Sequence, residues 1–224
     1  MKTKLILMGL LASAALLSAQ IITTNSFSLA PTNAIPDGNP VGVTEVFTVS
    51  GLAGSITNAQ VTLDITGGFN GDLYAYLVGP QGQFAVLLNR VGLTGSNPVG
   101  YSDAGMSITL DGLAANNIHD YGSVSGYSLN GTMWAADGRN PDPQSAGTLF
   151  DSALTSANLS VFQNTDANGV WTFFIADLSS GGGTANLNSM LLTIMTVPEP
   201  QIWVMLGGGL AVFCLCRSRR NFRL

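Results

Sequence analysis

Val170-Trp171-Thr172-Phe173-Phe174-Ile175-Ala176 decides the fold. β-branched and aromatic residues dominate it, a turn sequence (Asp166-Ala167-Asn168-Gly169) precedes it, and Asp177 closes it. Read as a strand it is apolar on nearly both faces, which predicts a central strand with neighbours on either side. Working outward, Val61, Leu63 and Ile65 alternate with polar residues. So do Leu73, Ala75 and Leu77, and so do Leu187, Leu191 and Met195, with Ser189 and Thr193 between them. A period of two with one apolar face is the pattern of a half-buried strand. Thr44 to Val49 and Phe84 to Leu88 are further strands, and clusters of Gly, Asn, Asp and Ser separate them all. Helical candidates are short, around Leu113 to Ile118 and Leu154 to Phe162. Tyr121 to Thr148, containing Asp137-Gly138-Arg139-Asn140-Pro141-Asp142-Pro143, has the weakest strand pattern and reads as a long surface loop. The regular spacing of turns predicts an all-β, antiparallel β-sandwich.

The chain has 224 residues, of which 46% are hydrophobic and 9% charged, so it buries a core and is not a disordered polyelectrolyte. Its charges are segregated. Lys2 and Lys4 open the chain, and Arg217, Arg219, Arg220 and Arg223 close it. Between Gln20 and Pro200, Arg90 and Arg139 face thirteen acids, a net charge of −11. No basic cluster is available there to neutralise a phosphate backbone, which excludes nucleic acid as a partner. Cys214 and Cys216 both lie in the C-terminal apolar run, leaving the domain before it without cysteine. A disulfide framework and a thiolate metal cluster are excluded together.

Lys2 and Lys4, the run from Leu5 to Leu17 and then Ser18-Ala19 have the order of a secretory signal peptide, with cleavage expected near Ala19-Gln20. The run rises about 20 Å as a helix, short of a bilayer core of about 30 Å. Residues 1–19 are therefore read as signal, and residues 20–34 as a polar N-terminal lead. At the other end stand Val197-Pro198-Glu199-Pro200, an apolar segment from Ile202 to Cys216, and the basic tail Arg217-Ser218-Arg219-Arg220. Physically this is a helix-breaking spacer, a short and marginal transmembrane helix weakened by Gly207-Gly208-Gly209, and a positive stop that stays cytoplasmic. The tripartite end at residues 197–224 resembles the PEP-CTERM sorting signal, matched at Pro198, Glu199 and Pro200 with the arginines following in order. That resemblance implies a membrane-anchored precursor in a Gram-negative envelope and transient passage through the inner membrane. It also implies processing by an exosortase-type enzyme and release to the cell surface or extracellular matrix.

Ile35-Pro36-Asp37, Val43 to Val49, Asp64-Ile65-Thr66 leading into Gly71-Asp72-Leu73, Leu77, Gly79-Pro80-Gln81-Gly82 and Leu87 are similar to the first half of the proprotein convertase P domain. Leu159, Phe162, Gly169-Val170-Trp171-Thr172, Asp177 and the strand from Leu187 to Ile194 are similar to its second half. The resemblance covers residues 35 to 195, within a domain bounded at 35–196. It implies a jelly-roll-like sandwich that accompanies a subtilisin-like protease and stabilises it. Two positions depart from the pattern: Gly67 stands where a histidine usually precedes Gly-Asp-Leu by four residues, and Met190 where the last strand carries tryptophan. Methionine still fills irregular core space.

The candidate chemistry is sparse. A Ser-His-Asp site needs an imidazole to take the serine proton, and the single histidine, His119, lies in Asn116-Asn117-Ile118-His119-Asp120 with no nucleophile-elbow context. His119 with Asp120 as an acid/base pair stands against a hydrogen-bonded loop histidine. Paired carboxylates of a glycosidase stand against turn aspartates such as Asp103-Ala104-Gly105 and Asp137-Gly138. Tyr74, Tyr76, Tyr101, Tyr121 and Tyr127 are either a sugar-stacking face or strand filler. Asp72 opens one strand and Asp177 closes another. If those strands are antiparallel neighbours, both carboxylates share one rim and form a calcium site, with Asn70, backbone carbonyls and water completing it; otherwise they accept backbone N–H groups. The reading is a non-catalytic exported binding or structural module. Alternatives are a protease accessory and a carbohydrate-binding module of the extracellular polysaccharide.

Overall fold

The computed structural model describes residues 22–29 and 33–198. The expected signal segment 1–19, the transmembrane stretch and the sorting residues Glu199, Pro200, Arg217, Arg219 and Arg220 lie outside the described residues. Among the described residues no helix is long and apolar enough to cross a membrane. The strands are β1 (Thr23–Leu29), β2 (Asn33–Ile35), β3 (Asn39–Val49), β4 (Ser55–Phe69), β5 (Leu73–Val78), β6 (Phe84–Asn89), β7 (Ala104–Asp111), β8 (Asn130–Trp134), β9 (Gly169–Asp177) and β10 (Ala185–Val197). They form two sheets within Thr23–Val197. The larger runs β1-β10-β4-β7-β8, with β2 also on β10, and the smaller runs β3-β9-β5-β6. The all-β reading and the two-sheet arrangement agree with the sequence, and β9 is internal as its two apolar faces predict.

The core lies between the sheets. Val61, Leu63 and Ile65 of β4, with Leu187, Met190, Leu192 and Ile194 of β10, meet Leu73, Ala75 and Leu77 of β5 and Trp171, Phe173 and Ile175 of β9. Trp171 is fully buried against Phe162, ring centroids 4.9 Å apart, and donates its indole N–H to the Ala167 carbonyl at 2.9 Å. A buried indole with its one donor satisfied contributes its full apolar area, and truncating such a side chain costs about 3–5 kcal/mol.

Four differences from the sequence reading have physical causes. The inward residues of β10 are Leu187, Met190, Leu192 and Ile194, so Leu191 and Met195 face outward. The register shifts between Leu187 and Ser189, and one extra residue in a strand of period two moves every later side chain to the other face. The polar lead supplies β1 and β2, which pair along β10 at Thr23↔Thr196 and Ala185↔Ile35. Phe27 and Leu29 pack on the core, and the backbone pairing needs no long apolar run. The Tyr121–Thr148 segment is not all loop. It contains β8 and buries Trp134, and β8 pairs with β7 in parallel, an exception to the antiparallel prediction. Of the helical candidates, Leu154 to Phe162 holds only the 3-10 turn Leu159–Phe162, and Leu113 to Ile118 is not helical, a 3-10 turn Ile118–Ser123 beginning at its last residue.

Candidate functional site

The 3-10 turn Asn70–Asp72 delivers the chain into β5 at one end of the sandwich. It is locked from outside: Asn70 N–H donates to Asp103 O at 2.9 Å and Gly71 N–H to Tyr101 O at 2.8 Å. A Cβ at Gly71 would lie 2.5 Å from Tyr101 N, so only glycine admits this approach. β5 and β9 are antiparallel neighbours with Leu73 opposite Asp177, and Leu178 N–H donates to Asp72 O at 2.9 Å. Asp72 and Asp177 therefore share one rim, meeting the condition that their strand positions set.

Asp177 is 0% exposed. Its Oδ1 accepts from Ser179 N–H at 3.3 Å, while its Oδ2 is buried without a hydrogen-bond partner. Burial, then the charges of Asp72 and Asp37, push this carboxyl up to about 6 against the pull of hydrogen bonds from Ser179 and Gly38. Burial also raises the Asp72 carboxyl, opposed by the Arg90 guanidinium 3.9 Å away and reinforced by Asp37. Asp37 is a rim residue that strand-end reasoning missed. Its carboxylate accepts from Gly181 N–H at 3.2 Å, tying the turn after β2 to the loop after β9. Its one sequence signal was the turn triplet Pro36-Asp37-Gly38. Asn70, expected nearby, is fully buried. It donates to Gly105 O at 3.1 Å and keeps its Oδ1 unpartnered. Among the described residues no three His, Cys, Asp or Glu side chains converge to hold a metal by themselves, so a cation here would need carbonyl and water oxygens.

His119 is not paired with its neighbour Asp120. Its Nδ1 lies 2.7 Å from Asp137 Oδ2 and its Nε2 3.0 Å from the Leu93 carbonyl, and the ring stacks on Phe150 at 5.9 Å. Both partners are acceptors, and Asp137 is already served by Asn89 N–H, Arg139 N–H and the Arg139 guanidinium. Both ring nitrogens are therefore engaged by protein partners. Arg139 also reaches Asp120 at 2.8 Å and Asn117 at 3.1 Å. This buried network leaves neither His119 nitrogen free to take a proton from a nucleophile.

The five tyrosines divide into two groups. Tyr121 is buried among Tyr101, Tyr127 and Trp134, and donates to Asp103 at 2.9 Å. Tyr74 and Tyr76 stand on the outer face of the smaller sheet. There Tyr76 stacks on Phe174 at 4.8 Å and meets Phe84 at 5.1 Å and Tyr74 at 5.8 Å. Gly42 makes room for the Phe174 ring, since a Cβ there would come within 2.9 Å of it. Register adds Thr44, Val46, Thr48, Val170 and Thr172 to the same face, with Val46 62% and Val170 53% exposed. None of these side chains is charged. The outer face of the larger sheet is the opposite: Thr62 bonds Thr109, Ser26 bonds Thr193, and Asp111 accepts from Asn58 and Gln60.

No known family matches the sequence, and no curated protein matches it. Among solved structures the chain is similar to a chain of the Aeromonas sobria serine protease–chaperone complex, at 12% identity over 85% of this chain and 29% of that one, with a TM-score of 0.46. It is also similar to the serine protease of Aeromonas sobria, at 12% identity over 83% of this chain and 29% of that one, with a TM-score of 0.45. The chain spans less than a third of the length of either.

Proposed function

We propose that this chain is an exported, non-catalytic β-sandwich of the P-domain, jelly-roll type. It acts as a binding module at the cell surface or in the extracellular matrix after exosortase-type processing. The observation that carries the binding role is the uncharged outer face of the smaller sheet, where Val46, Val170, Tyr76 and Phe174 meet solvent in a domain otherwise rich in acids. Exposed apolar patches rimmed by polar residues mark contact surfaces. The committed state of His119 supports the non-catalytic reading, since a serine hydrolase needs a free imidazole nitrogen.

The test is a pull-down from culture supernatant with wild-type protein and with the double variant Val46→Glu/Val170→Glu. Both positions are exposed, so folding should survive, as circular dichroism will verify. Capture of a macromolecule by wild type and its loss in the variant supports the reading. Equal capture by both, or peptidase activity in the purified chain, overturns it. The second reading, a protease accessory, rests on the P-domain resemblance of residues 35 to 195. A co-purifying subtilisin-like protease selects it, and retention on secreted polysaccharide selects a carbohydrate-binding role.

A further inference from the structure

We propose that the rim where β9 ends against β5 is a calcium site, with Asp177 and Asp72 as its carboxylate ligands and Asp37 at its mouth. The inference starts from Asp177 Oδ2. It belongs to a fully buried side chain and makes no hydrogen bond, although Ser179 N–H bonds the other oxygen and Gly38 N–H lies close enough to stabilise the carboxylate. Native proteins leave few buried polar atoms unpaired, because each costs about 1–3 kcal/mol and more when charged. The other Asp177 oxygen accepts from Ser179 N–H at 3.3 Å. Its electrostatic neighbours are two more acids, Asp72 and Asp37. Among the described residues the cation paired with this cluster is Arg90, whose guanidinium lies 3.9 Å from Asp72. Its guanidinium is held by the Gly71 carbonyl at 3.3 Å as well.

The donor set selects the ion. Every candidate ligand is oxygen, the domain lacks cysteine, and the single histidine is committed to Asp137 and Leu93. Soft and borderline metals lose their preferred partners under those conditions. Calcium accepts six to eight oxygens in irregular geometry and takes carbonyls and water readily, whereas magnesium demands a near-ideal octahedron. The loop after β9, Ser179-Ser180-Gly181-Gly182-Gly183, is anchored to Asp37 through Gly181 N–H, and a calcium ion here would draw its remaining oxygens from backbone carbonyls and water. A bound ion would join three segments, the turn after β2, the turn before β5 and the loop after β9, in a domain that has no disulfide to do so.

The test uses the full-length chain, melted in EGTA and in millimolar calcium chloride, with calorimetric titration of calcium chloride into the chelated protein. A site of roughly 0.1 mM affinity raises the melting temperature by about 3–6 °C at 1 mM ion. Asp177→Asn and Asp72→Asn should abolish that increment. Asp37→Asn, at an exposed position that should fold regardless, should weaken it. Asp64→Asn, on the outer face of the larger sheet, should leave it intact. Superimposable melting curves with no heat of titration overturn the site. So does an increment that survives Asp177→Asn, or an equal increment from magnesium chloride, which would mark general charge screening.

Discussion

Asp137 receives the His119 ring at 2.7 Å across eighteen residues of sequence, and the same carboxylate caps the backbone N–H of Asn89 at 3.0 Å. One side chain thus joins three segments: the 3-10 turn Ile118–Ser123, the end of β6 and the loop that follows β8. Asp137 N–H and Gly138 N–H continue the connection by donating to Leu87 O and Val86 O, and Val86 N–H donates to Ala157 O. The long loop therefore covers the edge of β6, closing a strand edge that would otherwise be open to pairing with another chain.

Removing either partner of this pair should cost much stability, because the survivor is a buried polar or charged group with its contact gone. His119→Ala and Asp137→Ala should each destabilise the domain by about 3–5 kcal/mol, read by urea denaturation. The combined variant should cost clearly less than the sum, since the two losses share one interaction. Additive losses would show that the side chains act independently.

Gly71 carries a steric prediction. A methyl group there meets Tyr101 N at 2.5 Å and Gly100 backbone at 2.8 Å, and neither backbone can swing aside as a side-chain tip can. Gly71→Ala should destabilise by about 1–3 kcal/mol, with the loss concentrated in the turn before β5. Hydrogen exchange should report it as faster exchange at the Asn70 and Gly71 amides. Unchanged protection there would mean that the turn accommodates the methyl group.

Legibility from sequence divides along local and long-range lines. β9 was readable as an internal strand because seven consecutive residues are almost all apolar, although its outer face, with Val170 half exposed, meets solvent. The meeting of Asp72 with Asp177 was readable because strand direction and end position suffice for it. The β10 bulge was not, since Leu187, Leu191 and Met195 form a clean alternation and no local residue type announces the extra residue at Asn188-Ser189. β8 was missed because its burial is concentrated at Trp134 and its pairing partner is parallel and distant. The identity of the His119 partner was not legible for the same reason: Asp120 is adjacent in sequence but Asp137 is adjacent in space.

Processing of the C-terminus is checkable independently of the fold. The Pro198-Glu199-Pro200 motif, the short apolar segment after it and the closing arginines predict a mature protein that ends close to Pro200. Mass spectrometry of the surface or secreted form should find no peptide beyond Ile202. An intact Arg223-Leu224 terminus on that form would sink the sorting proposal.

The pH dependence of stability should carry the signature of Asp177. Its carboxyl titrates at about 6 in the fold against an ordinary 3.8, so between those values the folded state holds a proton that the unfolded state has released. Stability then falls as pH rises, because the slope follows the difference in bound protons between unfolded and folded states. The contribution is present below pH 3.8, declines across pH 4 to 6, and is gone above it. In EGTA, wild type should lose stability over that window, whereas Asp177→Asn should not, because a neutral amide has no proton to release. The variant should be the more stable of the two at pH 7.5 and nearly equal to wild type at pH 4, by urea denaturation at each pH. Adding calcium should reverse the order at pH 7.5, since the ion favours the ionised carboxylate that the variant lacks. If the two proteins follow parallel pH curves in EGTA, burial does not hold a proton on Asp177.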